Sequence, residues 1–145
     1  MDDWEYRAFA FAYRKHLSQL DDEGKKYFNA HILPTVDMLK QISDDKILIT
    51  GGYLHDTIED TDTTYEEVLE LFGKEVADLV MEVTKEGEKD HYGYYFPRLK
   101  SHRGILLKFA DRLSNLSRMN AWDENRQNQY MKKSKFWKDG TDKEE

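Results

Sequence analysis

An all-α fold is what this sequence predicts. Three observations predict it: apolar residues recur at helical spacing along most of the chain, no stretch alternates as a half-buried strand would, and helix start and stop residues punctuate the pattern. At 145 residues the chain suits one domain with one core, burying about two-thirds of its unfolded surface.

Taken in order, Trp4, Phe9, Phe11, Ala12, Leu17 and Leu20 recur at near-helical spacing with Arg7, Arg14 and Lys15 opposite, which predicts a first helix over 4–20. The polar run from Leu20 to Lys26, with Gly24 inside it, breaks that helix. The pattern restarts at Phe28 and continues through Ile32, Val36, Leu39 and Ile42, with Pro34 near its start, where a first turn tolerates proline. Ser43-Asp44 offers an N-cap for a third helix from Asp45 to Leu54 or His55. Gly51-Gly52 inside it costs up to about 1 kcal/mol per glycine against alanine, and close approach of a neighbouring backbone is the simplest reason for the pair.

The acidic stretch from Leu54 to Asp62 follows. Thr64-Tyr65-Glu66-Glu67 then has capping-box spacing and opens a short helix through Val68, Leu69, Leu71 and Phe72, which Gly73 ends. Val76, Leu79, Val80 and Val83 mark another, running to Thr84-Lys85. Residues 86–96 are polar and aromatic and form the longest predicted loop; Tyr92, Tyr94 and Tyr95 suit either a lid that stacks on a base or a cover for the core. Ile105, Leu106, Phe109, Ala110, Leu113, Leu116 and Met119 mark a further helix. A last one is expected over 122–137, and 138–145 as a disordered tail.

Composition limits the function. With no cysteine there is no disulfide framework, no thiolate metal site and no cysteine nucleophile. A formal charge of −7 argues against binding along a DNA or RNA duplex, which needs clustered Lys and Arg. No apolar run approaches the roughly 20 residues a membrane-spanning helix requires, and the start Met1-Asp2-Asp3-Trp4-Glu5 lacks a basic-then-apolar signal, so the expected compartment is the cytoplasm, away from membranes. A small anionic substrate stays open, because a bound metal reverses the local field.

The stretch Leu54-His55-Asp56-Thr57-Ile58-Glu59-Asp60-Thr61-Asp62 packs one imidazole and four carboxylates between two apolar helical patterns. Its partners lie far off in sequence: His31 in the second helix and Asp111 in the late one. Two imidazoles and two carboxylates suit Mn²⁺, Fe²⁺ or Zn²⁺.

The order His, His-Asp, Asp is that of the HD superfamily of metal-dependent phosphohydrolases. Residues 54–61 resemble the HDxxED motif of one branch, the guanosine tetraphosphate hydrolases of the RelA/SpoT type and their small single-domain relatives. Other pieces fall in register: His16-x-x-Gln19, Phe72-Gly73-x-x-Val76-Ala77-x-Leu79-Val80 followed by Val83-Thr84-Lys85, and Lys108-Phe109-Ala110-Asp111-Arg112-Leu113-Ser114-Asn115-Leu116. The resemblance covers about residues 8–119.

It implies a single-domain helical HD-type bundle over 1–137 with one divalent ion, usually manganese in this branch, held by His31, His55, Asp56 and Asp111. It implies further that Glu59 and Asp60 position and activate the water that attacks the 3′-pyrophosphate of guanosine tetraphosphate or pentaphosphate, and that Asn115 contacts the nucleotide. The chemistry is sound, since a metal lowers the pKa of bound water and a nearby carboxylate takes the proton. One departure bears on the substrate: Asp21-Asp22 stands where the branch carries an Arg-Lys pair on the purine, with about one residue more than usual before His31. An HD phosphohydrolase for another linear or cyclic nucleotide, and a non-catalytic nucleotide-binding protein, are therefore the alternatives. A homo-oligomer stays open.

Overall fold

The computed structural model describes residues 1–84, 99–117 and 124–133. Among the described residues the regular structure is helical, with one isolated bridge between Leu20 and Lys26, so the all-α expectation holds. No described helix is long and apolar enough to cross a membrane.

Helix α1 (Asp3–Lys15) stops short of the predicted end at Leu20. The loop that follows makes its own hydrogen bonds: Asp21 Oδ1 accepts from the Glu23 and Lys25 amides at 2.9 and 2.8 Å, and Gly24 sits at φ +78°, where a side chain would strain the turn. Leu17 and Leu20, counted above as helix face, are exposed parts of this loop.

The second pattern divides into two elements. Phe28–Ile32 is a π-helical turn, in which the Leu33 amide donates to the Phe28 carbonyl, and α2 (Leu33–Ile42) follows with Pro34 in its first turn. The cap of α3 (Lys46–Leu54) is Asp45 rather than Ser43-Asp44: its carboxylate accepts from the Ile47 amide at 3.0 Å, and Ser43 Oγ supports the turn by accepting from the Asp45 amide at 3.0 Å. Residues Leu48 to Leu54 are all buried, which makes α3 the central helix.

Both glycines of α3 face neighbouring helices. A Cβ on Gly51 would lie 2.6 Å from Leu79 Cδ2, and one on Gly52 would lie 2.7 Å from Leu39 Cδ1. The pressing atoms are chiefly side chains rather than backbone. On one side α1 and α2 pack on α3, pinned by buried Glu5, which accepts from Tyr53 Oη at 2.7 Å and pairs with Lys40.

Beyond the four-residue α4 (Thr57–Asp60), α5 (Tyr65–Phe72) starts at Thr64, whose hydroxyl accepts from the Glu67 amide at 3.1 Å, and ends at Gly73 with φ +90°. Helix α6 (Lys74–Val83) covers the other side of α3. Its Glu82 reaches the start of α7 (His102–Leu116) and accepts from the Ser101 amide and hydroxyl at 2.9 and 2.8 Å. A Cβ on Gly104 would sit 1.9 Å from that carboxylate, so the glycine admits it.

Helix α8 (Glu124–Lys133) falls inside the predicted 122–137. The loop over 86–96 and the tail over 138–145 lie outside the described residues.

Candidate metal centre

The fold brings together residues 80 positions apart. His31 comes from the π-helical turn, His55 from the C-terminal end of α3, Asp56 from the residue after it, and Asp111 from the middle of α7; all four are buried. His31 Nε2 lies 2.9 Å from Asp111 Oδ1 and 3.3 Å from Asp56 Oδ2. His55 Nε2 lies 3.3 Å from each of the same two oxygens, and the two Nε2 atoms are 3.2 Å apart. Donors about 2.1 Å from a common cation stand about 3.0–3.4 Å from one another in octahedral or tetrahedral shells. The donor set therefore fits a single divalent ion.

Each donor is held by something outside the cluster. His55 Nδ1–H donates to the Gly52 carbonyl at 2.7 Å, which turns Nε2 inward as the atom available to a metal. His31 Nδ1 is 3.1 Å from Ser114 Oγ. Tyr27 Oη donates to Asp56 Oδ2 at 2.6 Å, and Lys108 Nζ lies 3.5 Å from Asp111 Oδ2, the oxygen turned away from the histidines. Lys108 is 5% exposed and also donates to the Val83 carbonyl at 3.2 Å. Lys108 therefore serves the buried cluster rather than a solvated helix face.

Charge balance follows from burial and pairing. Burial alone would raise the carboxyl pKa values, but His55 and His31 hold Asp56 well below the ordinary range, and Lys108 with the two histidines does the same for Asp111. Burial likewise opposes charge on the histidines. The two aspartates outweigh it and raise both, His55 the more.

The open side of the cluster carries α4. Asp56, Glu59 and Asp60 offer oxygens within 4.8 Å of one another, and both Glu59 and Asp60 are exposed. Partial burial, then the Asp56 and Glu59 charges, push the Asp60 carboxyl up to about 6. Asp62 turns away, pairing with Lys15 at 3.0 Å. Asn115 is half-buried on α7, one turn beyond Asp111 and on the same side of the helix.

Asp21 and Asp22 have structural partners. Asp21 closes its own loop, and Asp22 pairs with Arg126 of α8. His31 itself sits in the π-helical turn Phe28–Ile32, a geometry that fits one extra residue into a helical turn.

Tyr27, Ser114 and the structural part of Lys108 are contacts to the cluster that the sequence pattern does not single out. Tyr27 does stand four residues before His31, and its ring lies 5.2 Å from the His31 ring, so helical spacing was a usable signal. His16 is buried, with Nδ1 2.7 Å from Gln19 Oε1, in keeping with a structural role.

A family model described as HD domain matches residues 8–93. The chain belongs to the HD domain family. The matched stretch includes His31, His55 and Asp56, while Asp111 lies beyond it and joins them only through the fold. The HD domain resembles a protein of Danio rerio named guanosine-3′,5′-bis(diphosphate) 3′-pyrophosphohydrolase MESH1, at 36% identity over 135 residues that cover 83% of this chain and 74% of that protein. It is 35% identical over 140 residues to a probable guanosine-3′,5′-bis(diphosphate) 3′-pyrophosphohydrolase of Synechocystis, and 38% over 136 residues to one of Aquifex aeolicus; those matches cover 89% and 88% of this chain but only 18% and 19% of those proteins. A solved structure of a metazoan ortholog of SpoT that hydrolyses ppGpp superposes with a TM-score of 0.77 at 28% identity, covering 92% of this chain and 83% of that one. An HD domain implies a divalent metal, and the His31, His55, Asp56 and Asp111 cluster suits one.

Proposed function

We propose that this HD domain, taken as residues 1–137, is a metal-dependent phosphohydrolase that removes the 3′-pyrophosphate of guanosine tetraphosphate or pentaphosphate. The observation that carries the reading is the convergence of four buried donors beside the exposed Glu59-Asp60 pair. Relatives named for that reaction, matched over 83–89% of this chain, support the substrate. A cysteine-free chain also suits the cytoplasm, where nucleotides are found.

We assign His31, His55, Asp56 and Asp111 to one ion, with Mn²⁺ favoured over Fe²⁺ and Zn²⁺ because half of the donors are carboxylate oxygens. Such an ion, when bound, lowers the pKa of water and neutralises phosphoryl oxygens. The chain's own residues do the rest. Glu59 and Asp60 hold the attacking water, and one of them accepts its proton as the new oxygen–phosphorus bond forms. The bond between that phosphorus and the 3′-oxygen breaks, the 3′-oxygen takes up a proton, and pyrophosphate leaves. In the metal-free protein the Asp60 carboxyl is pushed up to about 6 by burial and the neighbouring Asp56 and Glu59 carboxylates, in the range that suits a general base. Asn115 offers an amide to the nucleotide on the Asp111 side.

Incubating the purified protein and Mn²⁺ with guanosine tetraphosphate tests the reading. Release of pyrophosphate supports it, and none from metal-loaded protein rejects it. A second reading, hydrolysis of a different nucleotide, is favoured by Asp21 and Asp22, which serve the loop and the Arg126 pair instead of offering cations to a base. A panel of linear and cyclic nucleotides separates the two.

A further inference from the structure

Ser114 is fully buried, and its sequence position gives no reason for a polar side chain there. Its Oγ lies 3.3 Å from the His31 carbonyl oxygen and 3.1 Å from His31 Nδ1. A serine hydroxyl has one hydrogen and two lone pairs. With the hydrogen given to the carbonyl, which also accepts from Thr35 Oγ1 at 2.8 Å, the oxygen is left to accept from Nδ1–H. Once a metal displaces its Nε2 proton, His31 presents the Nε2 lone pair, and Nε2 is the atom 2.9 Å from Asp111 and 3.2 Å from His55. Asp111 and Ser114 are three residues apart on α7, so one helix turn supplies both a donor and the group that orients another donor.

We propose that Ser114 is a positioning residue of the metal centre, fixing His31 as an Nε2 donor through its Nδ1–H. The proposal rests on the reading of His31, His55, Asp56 and Asp111 as metal ligands. A purely structural role predicts something different: Ser114 would satisfy the His31 carbonyl and stabilise the fold without touching metal affinity.

The test uses the full chain and Mn²⁺, with free Mn²⁺ followed by its paramagnetic resonance signal. Loss of an outer hydrogen bond to a ligand weakens metal binding about 10–100-fold, and that is the expected effect of Ser114→Ala. Ser114→Thr keeps the oxygen and is expected to recover most of the affinity. In ¹⁵N-labelled protein loaded with Zn²⁺, the His31 Nδ1–H resonance is expected in the unmodified chain and lost in Ser114→Ala. Should Ser114→Ala fail to fold, Ser114→Cys, which keeps a γ-atom and its hydrogen but accepts only weakly, is judged by the same two measurements. Affinity within twofold of the unmodified protein, with the Nδ1–H resonance retained, overturns the proposal. Failure of the folded, unmodified protein to bind Mn²⁺ or Zn²⁺ overturns the metal reading itself, and Asp111→Ala, expected to lose the ion, is the control that tells the two failures apart.

Discussion

Asp56 Oδ2 stands 2.6 Å from the Tyr27 hydroxyl and 3.3 Å from each of two imidazole nitrogens. Burial, then the nearby Asp56 charge, hold the Tyr27 phenol far above its ordinary pKa, so it remains a donor at any working pH. A hydrogen bond to a charged group contributes about 1.5–3 kcal/mol, so Tyr27→Phe is expected to weaken Mn²⁺ binding by about 10–100-fold, read by metal titration. Unchanged affinity would mean that Tyr27 merely packs on His31. The ligand candidates were legible because their spacing formed an ordered series of motifs. Tyr27, Ser114 and Lys108 were harder to read, since each acts across elements whose crossing no local pattern encodes.

At the scale of elements, α3 does two jobs that share one residue. Gly52 lets Leu39 and Val36 of α2 close in, and its carbonyl also receives the His55 Nδ1–H. Gly52→Ala overfills that contact and is expected to cost about 1–3 kcal/mol of stability, measured by denaturant unfolding. A cost near zero would show that Leu39 swings away freely. The glycine pair could be flagged from sequence, but not which neighbours required it. The ends of α1 and α3 were misjudged for a related reason. Leu17 and Leu20 look like helix face in sequence, yet the loop hydrogen bonds of Asp21 outcompete helix continuation; and Asp45, not Ser43-Asp44, accepts from the Ile47 amide in the first turn of α3. The π-helical turn at Phe28–Ile32 has no signature in the apolar spacing, which reads through it as one continuous helix.

At the scale of the whole molecule, metal binding, protonation and folding are linked. His31 and His55 have folded-state pKa values raised above the ordinary 6.5, so the imidazolium–carboxylate pairs stabilise the metal-free protein below that pH and are lost as pH rises through the folded values. A metal ion must displace those protons, so its apparent affinity rises over the same window. The increase in melting temperature on adding Mn²⁺ is therefore expected to be larger at about pH 8.5 than at about pH 6, and at 100 times the dissociation constant the added stability is about 2.7 kcal/mol. A shift independent of pH would place the ion away from the histidines. The helical class and the identity of the four convergent residues were readable from sequence; their donor spacing of 2.9–3.3 Å required the fold.

The most direct measurement is pyrophosphate release from guanosine tetraphosphate by the purified, Mn²⁺-loaded protein. One pyrophosphate and one guanosine diphosphate per substrate are expected, with release abolished by a chelator, restored by Mn²⁺, and lost in Asp56→Ala. Folded, metal-loaded protein that leaves guanosine tetraphosphate intact, or an Asp56→Ala variant that hydrolyses it at the original rate, would contradict the proposed reaction.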